Sequence, residues 1–395
     1  MSLLATTRGP VVIPAPSATG APVSAAQTRL QSLDVLRGAT IVLMIVVNTS
    51  GDLAHSYRPL VHAAWNGLTF ADVVFPCFLF IVGISLVLSL SGRLRRGAGL
   101  PALVRKALRR AAMLFVIGVA LNGFPWYNLG TLRIYGVLQR IALCYFVAVL
   151  LYLWLKPRTL VIVTAAILLG YYALLRWVPV PGYGMPGVDV PFLDPHGNLP
   201  AWLDRHVFPA SHLYLHGFYD PEGLLSSLPA VASTLIGVLT GIELLKERAG
   251  SLKWTLVAGT SCLATGLIWS HWFPLNKRLW TSSFVLLSAG ISLIALVLLR
   301  WWLDGHSERG RALTPFKIFG INALAAYVFS DFLAVSLTSV RLPHSGVTLI
   351  HWLFHPLPAF LPNRYVAGLV CAILYAGVCF LPVWLLYRKR IFLKV

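Results

Sequence analysis

The sequence predicts an all-α, polytopic transmembrane helix bundle, and three observations predict it. Hydrophobic residues make up 57% of the 395-residue chain and charged residues only 11%. Mean hydropathy is +0.76. The apolar residues gather into long runs such as IVLMIVV, FLFIVGISLVLSL and FVAVLLYLWL, the raw material of membrane spans of about 20 residues each. A soluble chain of this size carries roughly a quarter charged residues, so this one cannot cover itself in water. A soluble enzyme, a disordered scaffold and a disulfide-rich secreted module are excluded.

Along the chain, residues 1–30 are rich in Ala, Pro, Ser and Thr, with two arginines and no acidic residue. They are expected to form a disordered cytoplasmic tail, and they lack the charged start and apolar core of a signal peptide. Residues 31–395 are read as one transmembrane domain. Ten spans are expected, near 33–50, 70–91, 107–124, 134–155, 159–178, 223–245, 254–272, 280–302, 315–337 and 365–387. Ten spans place both termini on one side. The segments and flanks on that side hold 22 of the 32 basic residues, the opposite side holds eight, and Arg37 and Arg140 lie within spans. Cationic loops stay cytoplasmic, so the bias predicts an N-in, C-in bundle.

That placement also explains the net charge of +19 without nucleic acid, because the cations sit in short loops between spans. The five cysteines all fall in apolar stretches, with no CxxC or Cys/His cluster, so neither a metal site nor a disulfide framework is expected. Two loops on the far side are long. Residues 179–222 mix aromatic residues with Asp189, Asp194, Asp204, Asp220 and Glu222, and residues 338–364 carry His344, His351, Trp352 and His355. Such composition suits sugar, with rings stacking on pyranose faces; it equally suits an interfacial aromatic belt.

An ionisable group inside a span costs about 2.5–3.5 kcal/mol on insertion scales, so each needs a partner or a role. Asp34 and Arg37 are three apart on the first span and are expected to pair structurally. Asp72, Arg140, Glu243 and Asp331 also fall within spans. Gly237 and Gly241 form a GxxxG helix-packing face. The connection NTSGDLAHSYRPLVHAAWNGLTFAD concentrates Asn48, His62, Trp65, Asn66 and Asp72. A histidine there takes a proton near neutral pH or attacks an acyl donor, or else simply sits at the interface.

Six blocks in order then resemble the heparan-α-glucosaminide N-acetyltransferase family. They are LDVLRG from Leu33 with Asn48; HAAWNGLTFAD from His62 with Phe75-Pro76; RIYGVLQR from Arg133 to Arg140; YDPEG from Tyr219 to Gly223; Asn276-Lys277 with Trp280; and YRKRIF from Tyr387 to Phe392. The resemblance spans about residues 30–395. It implies membrane-embedded acyl transfer from cytosolic acetyl-CoA, as co-substrate and with no metal, to the amine of a glucosamine-type sugar on the outer side.

By the same resemblance His62 is the catalytic residue and Asn48 lies beside the acetyl group. His62 serves either as general base in direct transfer or as acetyl carrier in two steps, and both remain open. Asn48 offers an amide donor to the oxyanion. Arg133 and Arg140, seven apart, are expected with Lys277 either to contact substrate or to pair with Asp72 or Glu222. Trp65 and Trp280 are candidates to stack on sugar, with Asn66 and Asn276 as further binding residues. Arg105, Lys106, Arg109 and Arg110 are candidate phosphate partners, although cytoplasmic placement alone accounts for them.

The animal enzyme of the family carries a lumenal domain before the membrane part, where only a short polar tail is expected here, and the outer loops are expected to differ in length. The expected setting is therefore a bacterial inner membrane, and the expected acceptor an amino sugar or a cell-wall fragment bearing one. The family and the GxxxG face suggest a homodimer. A sugar or amphiphile transporter, and an O-acyltransferase acting on envelope polysaccharide, are the alternative functions.

Overall fold

The computed structural model describes residues 30–49, 55–246, 251–303, 310–342 and 346–393. The tail expected over residues 1–30 lies, apart from Leu30, outside the described residues, as does His344. The described residues fold as helices α1 (Gln31–Asn48), α2 (Phe70–Arg95), α3 (Leu100–Gly123), α4 (Val137–Trp154), α5 (Pro157–Trp177), α6 (Leu199–Val207) and α7 (Ser227–Leu245). They continue with α8 (Ser251–Trp269), α9 (Ser282–Leu303), α10 (Thr314–Ile321), α11 (Ala323–Ser339), α12 (Leu349–Phe354), α13 (Leu357–Phe360) and α14 (Arg364–Arg388).

Every expected span coincides with a helix, but the ninth is broken. Helices α10 and α11 meet at an 87° bend. Its centre is Asn322, whose buried side chain donates to Ile391 O (3.1 Å) and accepts from Leu393 N (3.2 Å). Interrupted backbone at membrane depth needs such internal partners. Among the described residues seven helices are long and apolar enough to cross a membrane, or eight with α10 and α11 taken as one broken span. Helix α3 falls outside that count because Arg105, Lys106, Arg109 and Arg110 occupy its first half. In α8, small and hydroxylated residues dilute the apolar ones.

Helix α2 is the spine. Apolar on every side, it is buried over most of its length against α7, α4, α1 and α9, as a helix without a polar face must be. Close approach is set by small residues. A Cβ on Gly237 would lie 2.0 Å from Phe80 O, and one on Gly83 2.1 Å from Thr234 O. The Gly237/Gly241 face is thus occupied inside the chain by α2, so it offers no support for a dimer. Glycines also bring α1 against α10, where a Cβ on Gly38 would fall on Phe316 O. A second apolar core joins α1, α10, α11 and α14, and a third caps α5 with Leu193, Phe273 and Leu279. Between the first two lies the cavity that organises the site.

Candidate active site

The cavity has a volume of about 1460 Å³ and runs from His62 and Asn48 at one end to Arg105 and Arg109 of α3 at the other. At the first end a helix start builds the chemistry. Thr69 and Asp72 form a capping box on α2, the sequence pattern that satisfies free N–H groups at a helix N-terminus. Asp72 Oδ2 accepts from Thr69 N (3.0 Å), Thr69 Oγ1 (3.0 Å) and Ala63 N (3.1 Å). The other oxygen, Oδ1, lies 2.9 Å from His62 Nδ1. An acceptor-only carboxylate at the positive end of a helix holds that contact when Nδ1 carries the hydrogen. The tautomer that follows leaves Nε2 with its lone pair, on a side chain 40% exposed to the cavity.

Lys277 completes the cluster. Its Nζ lies 3.3 Å from His62 Nε2, 3.1 Å from Nδ1 and 3.7 Å from Asp72 Oδ1. It stands on a tight loop whose template is Asn276: the Oδ1 of this buried residue accepts from Leu279 N (2.9 Å), and its N–H donates to Thr281 Oγ1 (3.0 Å). The loop forces Trp280 into the left-handed region at φ 55°, a conformation rare for a bulky residue and held only where packing insists. Burial draws the Lys277 ammonium below the ordinary lysine range, against the pull of Asp72 and Glu222.

A second network buttresses the wall. Arg133 donates to Asp220 through Nε (2.8 Å) and Nη2 (2.6 Å), and through Nη2 to Glu222 (2.5 Å), with its guanidinium 4.9 Å from the centre of the Tyr214 ring. Burial opposes the Arg133 charge, but the two carboxylates outweigh it and raise its pKa. Burial also opposes ionisation of Glu222, yet Arg133 and Arg140 outweigh it and hold its pKa low. Behind them Asp204 on α6 accepts from Leu224 N (3.0 Å) and Asp220 N (3.3 Å). Burial pushes its carboxyl up to about 7.

Of the residues singled out in the sequence, Asn48, His62, Asp72, Arg133, Glu222, Lys277, Trp280 and Arg37 line this one cavity. Asn48 is exposed at the end of α1. The Arg37 Nη1–Asp34 Oδ1 ion pair spans 3.2 Å, and Arg37 also donates to Ser85 Oγ (2.6 Å) and Gly320 O (3.1 Å). Others stand behind the wall. Arg140 is 2% exposed, donates to Gly223 O and Ser226 Oγ, and lies 5.1 Å from the centre of the Trp280 ring. Trp65 Nε1 donates to Leu193 O (2.7 Å), and Asn66 Oδ1 accepts from Asn276 Nδ2 (3.0 Å).

Trp65, Asn66 and Asn276 therefore shape loops rather than face the cavity, because their polar groups are consumed by backbone and by one another. Arg140, in contrast, is held behind the wall through Nη2 alone, its Nε and Nη1 buried without a hydrogen-bond partner. Arg278, which sequence reasoning passed over, lines the cavity and donates to the Tyr219 hydroxyl. Its adjacency to Lys277 was the available signal. Among the described residues no three His, Cys, Asp or Glu side chains gather to hold a metal ion.

Fold and site together define a helical membrane protein with an acid–base cluster at one end of a large cavity and a basic rim at the other. The family model described as heparan-alpha-glucosaminide N-acetyltransferase, catalytic, matches residues 29–192. The heparan-alpha-glucosaminide N-acetyltransferase of Homo sapiens is 32% identical over 361 residues, covering 78% of this chain and 53% of that protein. The protein of the same name from Mus musculus is 31% identical over 354 residues, covering 76% and 53%. The chain thus spans about half the length of the curated relatives it matches, and its likeness to the heparan-α-glucosaminide N-acetyltransferases extends well beyond the segment the family model covers.

Proposed function

We propose that the protein is a transmembrane N-acetyltransferase that passes an acetyl group from acetyl-CoA to the amine of a glucosamine-type acceptor. The observation that carries this reading is one cavity joining His62, Asp72 and Lys277 to the cations of α3. Coenzyme A is a long, thin anion. Its phosphates suit Arg105, Lys106, Arg109 and Arg110, since charge-assisted contacts to phosphate favour such clusters. Its pantetheine arm suits the apolar middle, and the thioester then meets His62.

In direct transfer Nε2 of His62 removes the proton from the acceptor nitrogen as it attacks the thioester carbonyl, and Asp72 stabilises the imidazolium that forms. Asn48 supplies an amide N–H to the developing oxyanion. The departing thiolate takes the proton from His62. In the two-step route the same Nε2 carries the acetyl group first, and the free lone pair supports either.

The reading includes ten spans with both termini on the cytoplasmic side, supported by the 22-to-8 division of basic residues. The acceptor then meets His62 from the outer side of a lipid bilayer, and a bacterial inner membrane is the proposed setting. Homodimerisation remains part of the proposal on family likeness alone.

The test is purified protein incubated with radiolabelled acetyl-CoA and a panel of amino sugars, neutral sugars and polysaccharides. Alkali-stable label on glucosamine supports N-transfer; alkali-labile label would move the reading to O-acylation. Uptake of sugar into liposomes with no consumption of acetyl-CoA would replace it with transport.

A further inference from the structure

The charged residues that line the cavity proposed to receive an amino sugar are mostly cations, among them Lys277, Arg133 and Arg278. A protonated amine entering it is repelled unless a carboxylate is available. Three carboxylates line the cavity among the described residues. Asp72 is taken up by His62, Ala63 and Thr69, and Glu222 by Arg133. The third, Asp331, has no hydrogen bond or ion pair with any described residue.

Asp331 lies on the face of α11 that carries Leu324, Tyr327 and Ala334, all cavity-lining and spaced by three or four residues, which is one helical stripe. Its position along the cavity follows from its neighbours. The rings of Phe332 and Phe124 lie 4.6 Å apart in a tilted pair, where α3 ends opposite its basic start. Tyr327, one turn away, lines the cavity together with Glu222 and Arg133. Asp331 therefore faces the same end of the cavity as the acid–base cluster. An intramembrane carboxylate without a partner is costly and marks a functional group.

Resting on the acetyltransferase reading, we propose that Asp331 is the specificity-determining residue for the acceptor: its carboxylate captures the ammonium of the amino sugar. The anionic donor is repelled by it, and a neutral sugar gains little from it. The transfer also removes the charge that Asp331 recognises, because the N-acetyl product is a neutral amide. Capture and release thus follow from one side chain.

The test measures binding of radiolabelled glucosamine, glucose and N-acetylglucosamine to detergent-purified protein, with acetyl transfer followed in parallel. The wild type should bind glucosamine roughly tenfold to a hundredfold more tightly than glucose. Asp331→Asn should erase that preference and raise KM for glucosamine by a similar factor, while Asp331→Glu restores part of it. Affinity for N-acetylglucosamine and for the donor should stay within about twofold.

A merely structural role would move all ligands together, and that result overturns the proposal. So does a wild type with no preference for the amine, a measurement that needs no variant to fold. Acetyl transfer that persists with unchanged KM in Asp331→Asn sinks the role of Asp331 and leaves the acetyltransferase standing. A preference abolished by Asp331→Asn in a protein that transfers nothing keeps the amine site and removes the enzyme.

Discussion

The two ends of the cavity are both charged, yet they are built in opposite ways. At the His62 end each charge is held by others: Asp72 by four donors, Arg133 by two carboxylates, Lys277 against both an imidazole and a carboxylate. At the α3 end Arg105, Lys106 and Arg109 have no carboxylate partner among the described residues, and Arg110 rests on the Tyr145 ring at 4.8 Å. Interlocked charges in a low-dielectric wall are fixed in position and tuned to one another. The cations of α3 stand exposed on a helical face, which suits grip on a flexible anion. The first arrangement suits proton transfer and the second suits binding.

That contrast predicts where mutations act. The largest effect is expected from His62→Ala: transfer should fall about a hundredfold to ten-thousandfold while titration still shows donor binding; a variant with wild-type turnover would break the division. Next comes Asp72→Asn, which weakens the tautomer lock and the capping box together. Turnover should drop on the order of a hundredfold, with a lower midpoint of thermal denaturation in detergent.

At the other end, Arg105→Gln with Arg109→Gln should act chiefly through the donor, raising its KM about fivefold per charge with a shallower dependence on salt. Were kcat to fall instead, the basic end would not be a binding site. The smallest effect concerns the buttress. Because the Asp204 carboxyl is raised to about 7 in the fold, its protonated form is favoured there relative to the unfolded chain. Its contribution to stability is full below about 4 and is lost as pH rises through 7. Asp204→Asn should therefore compare more favourably with wild type at pH 8 than at pH 5, read as the difference in denaturation midpoint.

Much of the site was legible before any coordinates. The spacing of Thr69 and Asp72 is a helix-start signature, and His62 lies close enough in sequence to reach that carboxylate once the helix forms. Lys277 was legible only through a family block, since nothing local in Asn276-Lys277 announces a partner 215 residues away. Trp65, Asn66, Asn276 and Arg140 show the converse. Their residue types suit a ligand, but whether an indole or amide faces a cavity or a neighbouring loop depends on packing that sequence spacing does not encode. The break at Asn322 was also hidden, because the apolar residues on either side of it read together as one span over residues 315–337.

Composition and the periodic runs of apolar residues were enough to determine a helical membrane bundle, because lipid leaves a backbone few ways to satisfy its polar groups. They also located the ten long apolar segments, but not α6, α12 and α13 within the outer loops. Only the tertiary structure decided which charges neutralise one another and which remain to meet a ligand. That choice turns on contacts between residues far apart in the chain, and at 3 Å a single rotation of a helix separates an ion pair from a vacant carboxylate.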